Sequence, residues 1–211
     1  MRKIDCGREE DIRITDAQLR EVAEELRDGN LVVYPTETVY GIGANIYDES
    51  AVKKVYRAKN RPFDMPLSVA VSDLAMMEEI AQMDDDAYRL AEKFLPGPLT
   101  IIIKKRPDVP DIVTAMSQKV GIRIPDHPLA LRLIREFGPI VATSANKHSR
   151  PDAVTLQEAI DDLGDNVSTY MDCGTCALGK PSTIVWLMDG EIEIIRQGAI
   201  SREDIEAVLN E

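Results

Sequence analysis

The chain has 211 residues, 44% of them hydrophobic, and a formal net charge of −12. That length and apolar share suffice to bury a real core, and one domain is the expectation. The acidic excess argues against general attraction to nucleic acid or to an anionic membrane, while leaving room for a local basic cleft.

No run approaches the roughly 20 apolar residues that a membrane-spanning helix needs; the longest aliphatic stretch lies near Leu99–Ile103. The charged start, MRKIDCGREEDIR, lacks an apolar signal core, so a cytoplasmic protein is expected. Three cysteines are an odd number, which argues against a disulfide scaffold.

In chain order, Thr15-x-x-Gln18 is a capping box before LREVAEEL, and Gly29 closes that helix. LVVYP reads as a strand. Ser50 is placed to cap AVKKVYRAK, with Val52, Val55 and Tyr56 facing inward and Lys53 and Arg57 outward. Lys59 falls at the helix end, where a cation complements the dipole. Pro62 ends the helix and holds Arg61 extended. LSVAV is a strand, and DLAMMEEIAQM and DDAYRLAEKFL are helices, the second stopped by PGP. LTIIIKK and VGIRIP read as strands, PLALRLIREFG as a helix between Pro128 and Gly138, and PIVATS as a strand. Thr155-x-x-Glu158 caps LQEAIDDLG. STYMD, STIVWL and EIEIIR are strands, and Ser201 caps the last helix. Short strands that are apolar throughout suggest a sheet covered by helices. Strands and helices do not alternate strictly. The expected fold is therefore one α/β domain over residues 1–211, its motif-bearing core about 15–200, with a twisted mixed sheet rather than a doubly wound parallel one.

Three motifs carry less than their pattern promises. Gly174-x-x-x-x-Gly179-Lys180 matches most of a phosphate-binding loop, but Pro181 follows where Ser or Thr belongs, and STIVWL reads as a strand where a helix is required. Cys173-x-x-Cys176 has no second close pair for zinc and does not open a helix as a redox pair would, so two unconnected reduced thiols are expected. Ser144, His127 and an aspartate could be drawn as a hydrolytic triad, yet no G-x-S-x-G surrounds Ser144.

Four strand ends are richer. PTETVYG places Thr36 and Thr38 on one face, with Gly41 and Gly43 permitting close approach to a ligand. GIRIP sets Arg123 mid-strand, where it needs an anion or a carboxylate partner. TSAN offers Ser144 and Asn146, and GKPST with RQG adds Ser182, Thr183 and Arg196. Small polar ligands commonly sit outside strand ends in α/β sheets.

Taken in order, PTETVYGIGANI, AKNRP with MPL, FLPGPLT, GIRIPDHPLA, TSAN, DCG through GKPSTIV, and IIRQGAI resemble the YrdC-like family of L-threonylcarbamoyladenylate synthases, over about Leu31 to Ile200. The resemblance implies a single α/β domain with a concave, positively charged cleft, in the short one-domain form. It implies an ATP-using enzyme that joins L-threonine and bicarbonate to AMP with release of pyrophosphate, magnesium accompanying the ATP. The product would pass to a transferase that modifies adenosine 37 of tRNA. By resemblance Thr38, Arg123 and Ser182 hold threonine, and Lys59, Arg61, Ser144, Asn146 and Arg196 meet ATP; no catalytic base is assigned and no residue is assigned to metal. The chain departs from relatives at Met65, where they often carry Asn, at Ala70, where they carry His, at His148 and Ser149, which replace Ser-Gly, and at Cys173, which replaces a Gly. The alternative reading is a nucleotide- or RNA-binding module of the same fold without this activity.

Overall fold

The structure, a computed structural model, describes residues 1–188 and 191–210. In chain order the strands are β1 (Arg2–Asp5), β2 (Gly7–Arg8), β3 (Asp11–Ile12), β4 (Val32–Tyr34), β5 (Gly41–Gly43), β6 (Ser68–Ala70), β7 (Leu99–Lys104), β8 (Lys119–Arg123), β9 (Ile140–Ser144), β10 (Thr169–Asp172), β11 (Thr183–Met188) and β12 (Glu191–Arg196). The helices are α1 (Asp16–Arg27), α2 (Glu49–Lys59), α3 (Leu74–Ile80), α4 (Asp85–Phe94), α5 (Pro128–Phe137), α6 (Leu156–Leu163) and α7 (Arg202–Leu209).

Ten strands form one sheet in the order β1-β10-β4-β5-β9-β6-β8-β7-β11-β12, and β2 and β3 make a separate hairpin. Pairing is mixed: β10 is parallel to β1 and β4, β6 to β8, and β7 to β11, while the other neighbours are antiparallel. The expected mixed sheet is therefore present. No helix among the described residues is long and apolar enough to cross a membrane.

The period-2 alternation of side chains divides the core between the two sheet faces. Val33, Val69, Ile101, Ile122, Val141 and Val185 point to one face, which α2, α3, α4 and α6 cover. Val32, Tyr34, Ala70, Ile140 and Met171 point to the other, where α1 and α5 pack. Two helices cannot cover ten strands. Beyond them this second face stays open, and the cavity described below lies on it.

Capping follows the sequence at most termini. Thr15–Gln18 and Thr155–Glu158 are complete capping boxes, Pro128 opens α5 behind an His127 cap, and Ser201 caps α7. Helix α2 differs from expectation at both ends. Its cap is Asp48, whose carboxylate accepts from Ser50 N at 2.8 Å and Ala51 N at 3.2 Å, so Ser50 lies inside the helix. A carboxylate there also meets the positive end of the dipole. At the other end Asn60, in the left-handed region at φ 51°, stops the helix before Pro62 is reached. The strands β1, β2, β3 and β5 were not anticipated. The first three are short and charged, and β5 is only three residues with two glycines.

Candidate functional site

The threonine turn after β4 is held by its own hydroxyls. Thr36 Oγ1 donates to Val39 O at 2.6 Å and accepts from Thr38 N and Val39 N, both at 3.2 Å. With that hydroxyl hydrogen spent, the 2.9 Å contact between Thr36 and Thr38 has Thr38 as donor. Thr38 Oγ1 in turn accepts from Arg123 Nη1 at 3.0 Å.

Arg123 is only 8% exposed. A buried guanidinium needs a carboxylate, and it finds one in Glu37, whose Oε1 accepts from Nη2 at 2.6 Å. The sequence reading anticipated the need but not the partner, because β8 and the threonine turn are more than 80 residues apart in the chain. Two buried atoms of this pair, Arg123 Nε and Glu37 Oε2, have no hydrogen-bond partner among the described residues. Such unsatisfied polar atoms are costly unless a ligand or water completes them.

Across the cavity, Ser182 Oγ contacts Thr100 Oγ1 at 2.9 Å. Arg196 clamps the same residue: Nε and Nη2 donate to Ser182 O at 3.1 and 2.9 Å, and Nη2 to its Oγ at 3.2 Å. This approach of the chain beyond β12 to the start of β11 depends on Gly198. A Cβ there would lie 2.4 Å from Pro181 O, Ser182 C and Thr183 N, all main-chain atoms. Gly198→Ala is expected to part the two segments at a cost of about 1–3 kcal/mol. A urea titration should show the lower midpoint, and an unchanged midpoint would mean that the contact is slack.

Arg61 lines the cavity from the loop after α2. Its Nε donates to Met65 O at 3.2 Å and Nη2 to Pro66 O at 2.8 Å, which leaves Nη1 without a partner among the described residues. Tyr56 Oη lies 3.0 Å from the same Met65 carbonyl and 3.1 Å from Ile112 O, its single hydrogen serving one or the other. Met65 thus positions Arg61 through its main chain, which any side chain would permit. Ala70 is a buried, small residue on the cavity floor.

Lys59 corrects an expectation. It does not line the cavity, and it is 2% exposed. Its ammonium donates to Ser144 O, to Asn146 O at 2.7 Å and to Asn146 Oδ1 at 3.2 Å. Its own carbonyl accepts from His148 N at 2.7 Å. Asn146 likewise lies behind the wall, taking Ser144 Oγ at 2.6 Å and donating to Arg150 O at 2.7 Å. The side chain that helical periodicity placed near the dipole instead reaches across to staple the TSAN turn.

Burial above all, with Arg61 nearby, pulls the Lys59 pKa down to about 8, against the attraction of Asp152 and Asp162. Below that value the folded chain carries the ammonium at a desolvation cost. Between about 8 and the ordinary 10.5 the unfolded chain binds more protons, so stability gained from this residue rises with pH. Lys59→Met should lose about 1–3 kcal/mol by stranding three acceptors. The wild-type advantage over it should widen from about pH 7 to about pH 10. Urea midpoints of both proteins at the two pH values check this; a gap that narrows would reverse the sign.

Six of the eight expected residues therefore meet around one cavity of about 180 Å³: Thr38, Arg61, Arg123, Ser144, Ser182 and Arg196. No carboxylate is among its lining residues. The arginines sense one another: burial lowers the Arg196 pKa most, Asp152 opposes this, and the charges of Arg123 and Arg61 add to it. Burial also lowers that of Arg61. Tyr34 and Thr100 line the cavity as well and were not anticipated. Both sat in runs that read as ordinary strand.

The weaker motifs resolve as structure. GKPST runs into β11 with Lys180 exposed, so no helix amides face a phosphate there. His127 caps α5 and Ser144 bonds Asn146, so the triad is not assembled. Among the described residues no cluster of three or more His, Cys, Asp or Glu could hold a metal. All three cysteines are free and buried.

Fold and cavity together define a class: a mixed-sheet α/β protein with a polar, arginine-lined cavity on one sheet face. The chain belongs to the Sua5/YciO/YrdC family, whose model, described under telomere recombination, matches residues 24–198. It is 40% identical over 203 residues to the threonylcarbamoyl-AMP synthase of Bacillus subtilis (strain 168), covering 95% of this chain and 59% of that protein. It is 43% identical over 179 residues to a putative threonylcarbamoyl-AMP synthase of Methanocaldococcus jannaschii, covering 84% of each. The crystal structure of P. abyssi Sua5 complexed with L-threonine superposes with a TM-score of 0.93 at 36% identity, over 99% of this chain and 61% of that one. The chain thus spans about three fifths of the B. subtilis and P. abyssi proteins.

Proposed function

We propose that the cavity is the active site of a threonylcarbamoyl-AMP synthase, which forms L-threonylcarbamoyladenylate and pyrophosphate from L-threonine, bicarbonate and ATP. The observation that carries this reading is Arg123. Its guanidinium is fixed by Thr38 and Glu37, yet keeps a buried Nε without a partner at an arginine-lined cavity. That is a prepared receptor for a small carboxylate. The relatives named threonylcarbamoyl-AMP synthase and the threonine complex of P. abyssi Sua5 support threonine as that carboxylate.

In this reading Arg123 takes the threonine carboxylate, with Thr38 and Ser182 beside it. Arg61 and Arg196 face the triphosphate, and Ser144 holds the nucleotide side. The threonine amine joins bicarbonate to give a carbamate and water. A carbamate oxygen then attacks the α-phosphorus, the bond to the β-phosphate oxygen breaks, and pyrophosphate leaves. The protein contributes alignment and neutralisation of developing charge. Magnesium would arrive bound to the phosphates as part of the nucleotide substrate, since the cavity wall offers it no carboxylate. The product would be handed to a transferase that modifies tRNA, and the protein would work in the cytoplasm.

Pyrophosphate release with and without L-threonine tests the reading. Release that requires threonine, bicarbonate and ATP together is expected. A folded sample that releases none, or releases it equally without threonine, would leave a nucleotide-binding module in its place.

A further inference from the structure

The mechanism above uses none of the three cysteines, yet two of them are placed to react with each other. Strands β1 and β10 run parallel with Asp5 opposite Asp172, and Cys6 N donates to Asp172 O at 2.8 Å. Continued by one residue, the register sets Cys6 opposite Cys173. Neighbouring strands lie about 4.8 Å apart, within the Cα separations of about 4.4–6.8 Å that disulfides span. Both side chains enter the same apolar layer.

His127 supplies the third group. Its Nδ1 accepts from Leu129 N at 3.2 Å, so the neutral ring carries its proton on Nε2. The histidine borders the same small hollow as Cys173. Cys173 thus has an imidazole beside it, whereas the Cys6 thiol donates to the Ile4 carbonyl at 3.5 Å.

We infer that Cys6 and Cys173 are a redox pair that small hydroperoxides oxidise to a disulfide, Cys173 being the attacking sulfur and Cys6 the resolving one. Its neighbours Cys6 and then His127 pull the Cys173 pKa down against burial, while Cys173 and burial push that of Cys6 up. Cys176, whose pKa burial chiefly pushes up to about 12, is no competitor. Cys173 borders a hollow of about 10 Å³ together with Thr36, His127 and Cys176. That is room for about one water, so the oxidant must be small.

The Cys173 thiolate attacks one peroxide oxygen and the O–O bond breaks, giving a sulfenic acid and, for hydrogen peroxide, water after proton uptake. The Cys6 thiol then attacks the sulfenic sulfur, the S–S bond forms, and the hydroxyl leaves with the thiol proton as a second water. Both thiols are oxidised and one peroxide is reduced to two waters. The pair lies directly behind the cavity: Cys173 N donates to Tyr40 Oη at 3.1 Å, Tyr40 Oη donates to Gly174 O at 2.7 Å, and Tyr40 lines the cavity wall.

The experiment is thiol mapping of the folded chain after hydrogen peroxide, quenched by acid and alkylated under denaturing conditions. Expected are a mass loss of about 2 Da reversed by dithiothreitol, a Cys6–Cys173 linked peptide, and consumption of Cys173 at least about tenfold faster than Cys176. Cys6→Ser should instead accumulate a sulfenic acid at Cys173 that dimedone captures. Cys176→Ser should leave the linkage intact. A Cys173–Cys176 linkage, equal rates at all three thiols, or no oxidation under conditions that oxidise the urea-unfolded chain would each overturn the assignment.

Discussion

Arg123→Lys is expected to raise the KM for L-threonine by roughly 10–100-fold, with a smaller change in the KM for ATP. The estimate comes from losing one hydrogen bond to a charged group, worth about 1.5–3 kcal/mol, where about 1.4 kcal/mol is tenfold. Lysine keeps a cation beside Glu37, so the buried carboxylate is still compensated. It cannot serve Glu37, Thr38 and a substrate carboxylate in one plane as the guanidinium does. The alanine variant is the poorer probe. It would strand Glu37, 6% exposed, as a buried unpaired charge, at about 3–5 kcal/mol, and a loss of activity could then reflect unfolding. Steady-state kinetics with a parallel thermal melt separate the two. A lysine variant with unaltered threonine KM would remove Arg123 from the substrate.

Arg61→Ala should lower kcat/KM for ATP by about 10²–10³, the usual cost of deleting one preorganised donor to developing charge. Stability should move little, within about 0.5 kcal/mol. The side chain bonds only the Met65 and Pro66 carbonyls of its own loop, and solvent can satisfy both once it is gone. Its unpaired Nη1 is the atom that the triphosphate would take. Normal turnover in this variant would place the phosphates elsewhere, with Arg196 as the next residue to replace.

These two arginines were visible in the sequence because each stands in a local pattern: GIRIP puts a cation mid-strand, and AKNRP puts one in a proline-bounded turn. Apart from β5, which brings Gly41 to the wall, the strands that carry the cavity were equally visible, since β-branched runs with clean boundaries set both their position and their alternation. What escaped depends on register between distant segments. Glu37 reads as an exposed acid in a loop until β8 is laid in place and Arg123 meets it. Tyr34 reads as strand filler until its end of β4 is seen to close the cavity. Lys59 and Arg61 are two residues apart and were given one role. The left-handed Asn60 between them turns the chain, so one side chain goes inward to staple the TSAN turn and the other goes to the cavity. Asp48 displaced Ser50 as the α2 cap for a similar reason, since two good capping residues within one turn leave the choice to the path of the preceding loop.

The most direct test of the central claim follows the carbon. With ¹³C-bicarbonate, L-threonine and MgATP, mass spectrometry of the nucleotide products should reveal threonylcarbamoyl-AMP carrying one added mass unit, in amounts equal to the pyrophosphate released. Adenylated product without the label, or ATP turnover that leaves threonine unchanged, would contradict the account.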